Sequence, residues 1–455
     1  MGVWVFNSMI ESLEIEAENI FGDYEHLFNK SARIFVGFSG GMDSTVLLHL
    51  THKFVAPSII TALHVNHGLS TDADAWEQNA ARHSEKLSVN FEAHRVNCFA
   101  RSNREALARD ARYGVFEQTL AENDILLLAH HADDQAETVL YNLLRGSGST
   151  GMSGIPVMRD LGLGRLLRPL LGVTRSQIER YATRHQLTWS EDESNLDMSF
   201  DRNYLRQKII PPLAERWAGH QKRIALTASQ SKNDKLLAKS IFETDIDSLD
   251  LRQERGGISI CARRISALEA IRQRNVIRQL PAELKLSLPP ARTIEEVFNA
   301  LLNARSDASP EVRAERCVYR RYRNRLYLLR VRQKDSVGHE NFICWEHQTT
   351  LVLPNGGSLF TESTDSQGIK MGEIRHLEVR FRLGGERCRP SGRRHSQTLK
   401  KLFQEYALEP WWRSSIPLLF LQNELVAVGD LWVCEGWEAG KGERGFRIHW
   451  QVNSL

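Results

Sequence analysis

One stretch constrains this chain more than any other: Phe38-Ser39-Gly40-Gly41-Met42-Asp43-Ser44-Thr45. It follows directly on the apolar run Ile34-Phe35-Val36 and leads directly into Val46-Leu47-Leu48. The pattern reads as a strand, a glycine turn and a helix N-terminus. Gly40 and Gly41 allow the backbone to approach an anion closely, while the N–H groups of the turn and the helix dipole attract negative charge. Ser39 and Ser44 add hydroxyl donors, and Asp43 is placed to hold a metal ion bridging to phosphate. No Gly-Lys-Ser/Thr follows, so this is not a P-loop, and the glycine spacing is not the dinucleotide fingerprint.

The surrounding sequence alternates short β-rich runs with segments of helical length. Arg33-Phe38, Ile59-Val65, Asn90-Val96 and Asp124-Ala129 are the expected strands, and 44–54, 73–88 and 103–122 the expected helices. Such alternation implies right-handed crossovers and an α/β, doubly wound, mostly parallel sheet, whose ligands bind at the carboxyl ends of the strands. After the helix Glu137-Leu144, the glycine-rich stretch 145–154 reads as a mobile loop, with a lid that orders on substrate binding as its expected role. Helices are expected at 174–186 and 202–218, with Pro211-Pro212 marking a helix start or restart. A helical middle domain follows, then a hairpin over Cys317-Val331 with Asn324 near its centre, then a basic α+β C-terminal domain. The expected boundaries give domains 1–220, 221–340 and 341–455.

The chain has 455 residues, enough for two or three cores, and 42% hydrophobic with 25% charged residues is ordinary globular usage. No uncharged apolar run approaches the ~18 to 20 residues of a membrane span, and the start of the chain shows no basic-apolar leader, so a cytoplasmic location is expected. Cys98, Cys261, Cys317, Cys344, Cys388 and Cys434 lie far apart without a C-x-x-C pair, which argues against structural zinc and against a disulfide framework. Net charge is only +3, but its distribution is uneven. Residues 1–30 carry six acids against Lys30; residues 311–334 carry nine bases, and 380–401 carry eight against Glu386 alone. Two basic clusters suggest a polyanionic partner.

The block Ser39-Ser44 resembles the S-G-G-x-D-S signature of the PP-loop ATP pyrophosphatases. Further blocks resemble one branch of that superfamily, the tRNA(Ile)-lysidine synthetases: Ala111-Phe116, His130-Thr138, Leu143-Gly148, Arg168-Leu171, Trp189-Asn195 and Arg202-Arg206. The resemblance implies ligation of free L-lysine to C2 of the wobble cytidine in an isoleucine tRNA with a CAU anticodon. ATP first adenylates the base with loss of pyrophosphate, and the amine of lysine then displaces AMP, changing codon reading and charging identity. ATP as substrate and Mg2+ as metal are implied with it.

Within that scheme Ser39, Gly40, Gly41, Met42, Asp43 and Ser44 are the expected ATP-binding residues. Asp43 and Glu137 are the metal-holding candidates, Arg112 the candidate for phosphate or the activated intermediate, and His130 a phosphate contact. Asp133 or Asp134 is expected to take the lysine ammonium; a bland role for Asp133 is helix N-cap. Adjacent His130 and His131 on a strand end should point to opposite faces, which disfavours a transition-metal site. Asn66 and His67 end the second strand and either line the adenine pocket or serve the core or a turn. Arg202 and Arg206, four apart, could touch phosphate together, or form a surface ion-pair network. Arg387, Arg389, Arg393, Arg394, Lys400 and Lys401, near Trp411-Trp412, are the expected tRNA contacts. Only Cys98 precedes residue 260, which disfavours sulfur chemistry. The rival readings are another enzyme of the superfamily, such as a tRNA thiolase or an amide-forming synthetase, and a non-catalytic RNA-binding protein. The sequence leaves the oligomeric state open, with a homodimer one possibility.

Overall fold

The computed structural model describes residues 13–452 apart from 15, 69–71, 97–103, 191–196, 199, 303–309, 332–341, 355–356 and 373, and the side chains of 104–106. Cys98, the segment Glu191-Asn195 and the bases Arg332 and Lys334 lie outside these residues. The chain divides into two compact units, 1–237 and 238–455.

In the first unit the alternation seen in the sequence gives β1 (Ile34–Gly37), α1 (Met42–Phe54), β2 (Ile60–Asn66), α2 (Ala73–Lys86), β3 (Asn90–Arg95), α3 (Arg104–Thr119), β4 (Ile125–Leu127) and α4 (Ala132–Leu144). A hairpin follows, β5 (Met158–Leu161) and β6 (Gly164–Leu167), and then α5 (Arg175–Arg184). The six strands form one sheet in the order β3-β2-β1-β4-β6-β5, parallel except for β5. Strands buried on both faces need apolar residues at every position rather than alternate ones. β1 shows this: Ile34 and Val36 join the core on one face, and Phe35 joins Leu126 and Leu166 on the other. The hairpin β5-β6 was not expected, because Met-Arg-Asp-Leu-Gly-Leu-Gly-Arg offers little strand pattern.

The expected loop 145–154 contains a one-turn helix, Ser149–Met152, and its ends are tied down. Asn142 Nδ2 donates to the Gly151 carbonyl (2.8 Å), and the Ile155 N–H donates to Gln135 Oε1 (2.6 Å). Around Pro211-Pro212 the helix does restart: Asp201–Tyr204 runs through a π-helical turn, Leu205–Ile209, into Ile210–Arg216.

The long helix α6 (His220–Ser248) leads into the second unit, where α7 (Ala270–Gln279) and α8 (Ala291–Val297) supply the expected helical character. The same region also carries an antiparallel sheet that the helical expectation passed over, in the order β7-β8-β11-β10-β9. Its strands are β7 (Arg252–Glu254), β8 (Gly257–Cys261), β9 (Glu311–Arg313), β10 (Cys317–Tyr322) and β11 (Arg325–Arg330). The last two form the expected hairpin, turning at Arg323-Asn324. Towards the C-terminus short antiparallel strands enclose α9 (Leu399–Glu405), with Phe403, Trp345 and Trp450 in the core. Among the described residues no helix is long and apolar enough to cross a membrane.

Candidate active site

The strand order reverses at β1, whose neighbours are β2 on one side and β4 on the other. A crevice opens at such a point because the crossovers leave in opposite directions. A cleft of about 290 Å³ lies there, lined by Ser39, Asp43 and Ser44 after β1, Asn66 and His67 after β2, His130 after β4, and Arg109, Arg112 and Tyr113 from α3.

The glycine turn is shaped by its own side chains. Ser39 Oγ lies 3.1 Å from Ser44 Oγ and accepts the Gly41 N–H (3.2 Å), while Ser44 Oγ donates to the Gly41 carbonyl (2.9 Å). Gly40 has φ +83°, a left-handed conformation that glycine adopts without strain. Gly41 is the N-cap of α1 and has no side chain to satisfy the first N–H groups of the helix. That end of α1 is therefore open to an anion.

Asp43, in the first turn of α1, has Oδ1 buried without a hydrogen-bond partner and Oδ2 3.6 Å from His131 Nε2. Burial alone would raise its pKa, but His131, Arg175 and Arg206 outweigh it and hold the carboxylate below its usual range. An ionised carboxylate with one orphan oxygen beside an open helix N-terminus fits a Mg2+ ion that shares its other ligands with phosphate and water. Among the described residues there is no group of three or more His, Cys, Asp or Glu side chains set to hold a metal by themselves. Glu137, the other expected metal ligand, is 4% exposed and has both oxygens engaged: Arg206 Nε donates to Oε1 (2.6 Å) and Nη2 to Oε2 (2.9 Å). Arg206 also reaches Asp134 Oδ1 (3.2 Å). Burial raises the Glu137 pKa and Arg206 only partly offsets it.

The two expected ammonium ligands separate. Asp134 lines the cleft, whereas Asp133 turns to the Arg175 N–H (2.8 Å) and Gln221 Nε2 (3.0 Å). Nor is Asp133 the N-cap of α4; that place belongs to His131, whose Nδ1 accepts the Asp134 N–H (3.4 Å) while Asp134 Oδ2 accepts the His131 N–H (3.0 Å). The His131 ring is 2% exposed and its Nε2 lies within 3.6 Å of Asp43 and 3.5 Å of Asp134. Burial pulls its pKa down, but these carboxylates prevail and raise it. His131 thus joins Asp43 to Asp134, a role the opposite-faces argument missed.

His130 does line the cleft, as expected. Its Nδ1 accepts from Arg168 Nε (3.2 Å), so the neutral ring carries its proton on Nε2. Burial first, and the Arg168 charge second, push its pKa down to about 3. It can therefore donate a hydrogen bond to an anion but not a charge. Arg168 is 3% exposed; its other nitrogens donate to the Pro156 carbonyl (2.7 Å) and Tyr113 Oη (3.3 Å), and no carboxylate pairs with it among the described residues. A buried unneutralised cation behind a cleft makes the cleft attractive to anions. The Arg168-Pro-Leu-Leu block was the only sequence signal for it.

Asn66 braces the end of β2, donating to Glu77 Oε2 (2.9 Å) and accepting the Gly68 N–H (3.0 Å). Of Arg202 and Arg206, the second is engaged by Glu137 and Asp134. In the second unit Arg387, Arg389, Arg394, Lys400 and Lys401 are exposed and Arg393 half-buried. Arg389 pairs with Glu435 (3.7 Å) and Arg393 with Glu405; Arg394, Lys400 and Lys401 have no carboxylate partner among the described residues.

Comparison with known proteins gives three family models along the chain. The PP-loop domain matches residues 9–213, the TilS substrate binding domain 261–327, and the TilS substrate C-terminal domain 377–450. The tRNA(Ile)-lysidine synthase of Coxiella burnetii is 37% identical over 91% of this chain and 92% of its own length. That of Proteus mirabilis is 33% identical over 97% and 100%. Among solved structures the U34-tRNA thiolase NcsA of Methanococcus maripaludis is similar over 49% of this chain and 80% of that one, at 15% identity and a TM-score of 0.42. The chain belongs to the tRNA(Ile)-lysidine synthase family and is a carbon–nitrogen ligase.

Proposed function

We propose that the enzyme joins free L-lysine to C2 of the wobble cytidine of an isoleucine tRNA with a CAU anticodon, consuming ATP in two steps. In the first, the C2 oxygen of cytidine attacks the α-phosphorus of ATP, the bond to the bridging oxygen breaks, and pyrophosphate leaves. In the second, the amine of lysine attacks C2, AMP departs with that oxygen, and the amine loses a proton. The product is lysidine, which changes the tRNA from reading and charging as methionine to isoleucine.

The observation that carries this reading is the uncapped N-terminus of α1, with the orphan oxygen of Asp43 beside it, at the point where the strand order reverses. The N–H groups of Met42 to Ser44 bind the β- and γ-phosphates, and Asp43 would hold Mg2+ beside them. Bound there, the ion would neutralise charge on the leaving pyrophosphate. Glu137 can join the metal only by releasing Arg206. The Nε2–H of His130 and the guanidinium of Arg112 address the α-phosphate, where negative charge grows as the leaving group departs. Arg168 holds His130 in that orientation. Asp134 takes the lysine ammonium at the cleft, one His131 ring away from Asp43. Arg394, Lys400 and Lys401 contact tRNA phosphates.

The test is pyrophosphate release from ATP with purified isoleucine tRNA bearing a CAU anticodon, with and without lysine, followed by mass analysis of the nucleosides. A lysine-sized gain on cytidine is expected. Release without that product would move the chain's chemistry to another substrate.

A further inference from the structure

A second cleft shares Phe38 with the first and is bordered by Gly40 of the phosphate loop and Thr45 of α1. Its other walls are Arg82, His83 and Lys86 of α2 and the segment Thr188 to Ser190, whose Ser190 N–H donates to the Gly40 carbonyl (2.9 Å). Among the described residues no carboxylate lines it, and neither Arg82 nor Lys86 has a carboxylate partner. Thr45 is 1% exposed, yet its Oγ1 has no hydrogen-bond partner, and neither has the buried Nε2 of His83. Helical threonines commonly bond back to a carbonyl one turn earlier; this one does not. Bases in the last turn of α2 offset its macrodipole, which accounts for His83 and Lys86. It leaves unexplained the hydroxyl of Thr45, on a different helix.

We infer that this cleft is a subsite for an inorganic polyanion of the pyrophosphate class. The inference rests on the reading above for the source of the anion, which is the leaving group of the first step. Among the described residues every polar side chain lining the cleft can donate, and Gly40 is the wall it shares with the phosphate loop. A compact pyrophosphate fits better than an RNA backbone, because the exposed Arg82 and Lys86 stand over a pocket whose unpaired donors, Thr45 Oγ1 and His83 Nε2, lie beneath the surface. Pyrophosphate held on this side of Gly40 is separated from the adenylated base, and reversal of the first step is disfavoured.

The test is calorimetric titration of the full chain with inorganic pyrophosphate and, in parallel, with a non-hydrolysable ATP analogue. Arg82→Ala/Lys86→Ala is expected to weaken pyrophosphate by at least about tenfold, as loss of two charge-assisted contacts should, and the analogue by less than about twofold. Thr45→Val, which keeps shape and removes the hydroxyl, is expected to weaken pyrophosphate roughly threefold. Unchanged pyrophosphate affinity in either variant overturns the subsite, as does equal weakening of both ligands in the double variant, or a loss confined to tRNA affinity. Failure of the functional reading would appear elsewhere, as absence of tRNA-dependent pyrophosphate release from ATP by the wild-type chain.

Discussion

Glu137 and the half-buried Arg206 form a pair in which the carboxylate is nearly inaccessible and both its oxygens are bound. Removing one partner from such a pair leaves an uncompensated charge, so Arg206→Ala should cost about 3 kcal/mol of unfolding free energy in urea titration. Arg206→Met combined with Glu137→Gln should cost clearly less; an equal loss would show that the pair is not electrostatically coupled. His130 gives a second prediction, whose sign follows from its depressed pKa of about 3. Above pH 6.5 the ring is neutral folded and unfolded alike; below it the unfolded chain takes up a proton that the folded chain refuses. Stability is therefore lost as pH falls from 6.5 towards 3, by about 1.4 kcal/mol per unit from this residue. The unfolding free energy of wild type minus that of His130→Asn should shrink by about 2 kcal/mol between pH 6.5 and 5, and a constant difference would reject the neutral, buried ring. The sequence pointed to Glu137 and His130 in one recognisable block and to Arg168 and Arg206 in two others, but not to their pairing. Arg168 and Arg206 lie 38 and 69 residues away, and nothing local encodes a pairing made by folding.

At the scale of elements, the four central strands and their helices were legible because each is a short apolar run or a helix-length segment set between turns. What was not legible depends on contacts remote in sequence. β7 and β8 pair across a two-residue turn in a stretch of mostly polar residues, and their sheet is completed by β11, some seventy residues on. The glycine-rich segment 145–154 looked like free loop for a related reason: its fastening comes from Gln135, on α4. The Gln135 side chain both accepts the Ile155 N–H (2.6 Å) and donates to the Ile155 carbonyl (3.3 Å). Gln135→Leu removes both and leaves a backbone donor unpaired, at about 1–3 kcal/mol locally. Limited proteolysis should then cut within 145–154 several times faster than in wild type, with the rest of the unit intact. Equal cleavage rates would mean that the clamp does not control opening of the segment, and would return the lid expectation to the glycines alone.

For the whole molecule the question is which of its many bases can face a polyanion. The two basic clusters look alike in sequence, yet the structure uses them differently. In the first, Arg313 and Arg320 share Glu311, Arg321 caps the carbonyls of Leu301 and Leu302, Arg325 binds Asp250, and Arg323 and Arg330 donate to backbone carbonyls. These arginines are engaged within the second unit. In the second cluster Arg380 and Arg382 also pair internally, with Glu378 and Glu386, but Arg394, Lys400 and Lys401 stay exposed. The two lysines sit in the first turn of α9, where the macrodipole disfavours cations. These bases stand at an unfavourable end of a helix with no carboxylate against them among the described residues, so they are free to take an anion from outside. Each phosphate neutralised releases counterions and steepens the salt dependence of binding. Arg394→Ala/Lys400→Ala/Lys401→Ala should therefore weaken tRNA binding and reduce the slope of log affinity against log salt by about 2, with ATP affinity unchanged. Triple substitution in the first cluster, at Arg313, Arg320 and Arg325, should instead lower the melting temperature and leave that slope alone. If the slope falls in the first-cluster variant and not in the second, the tRNA path lies over the hairpin of β10 and β11, and the C-terminal bases serve another purpose.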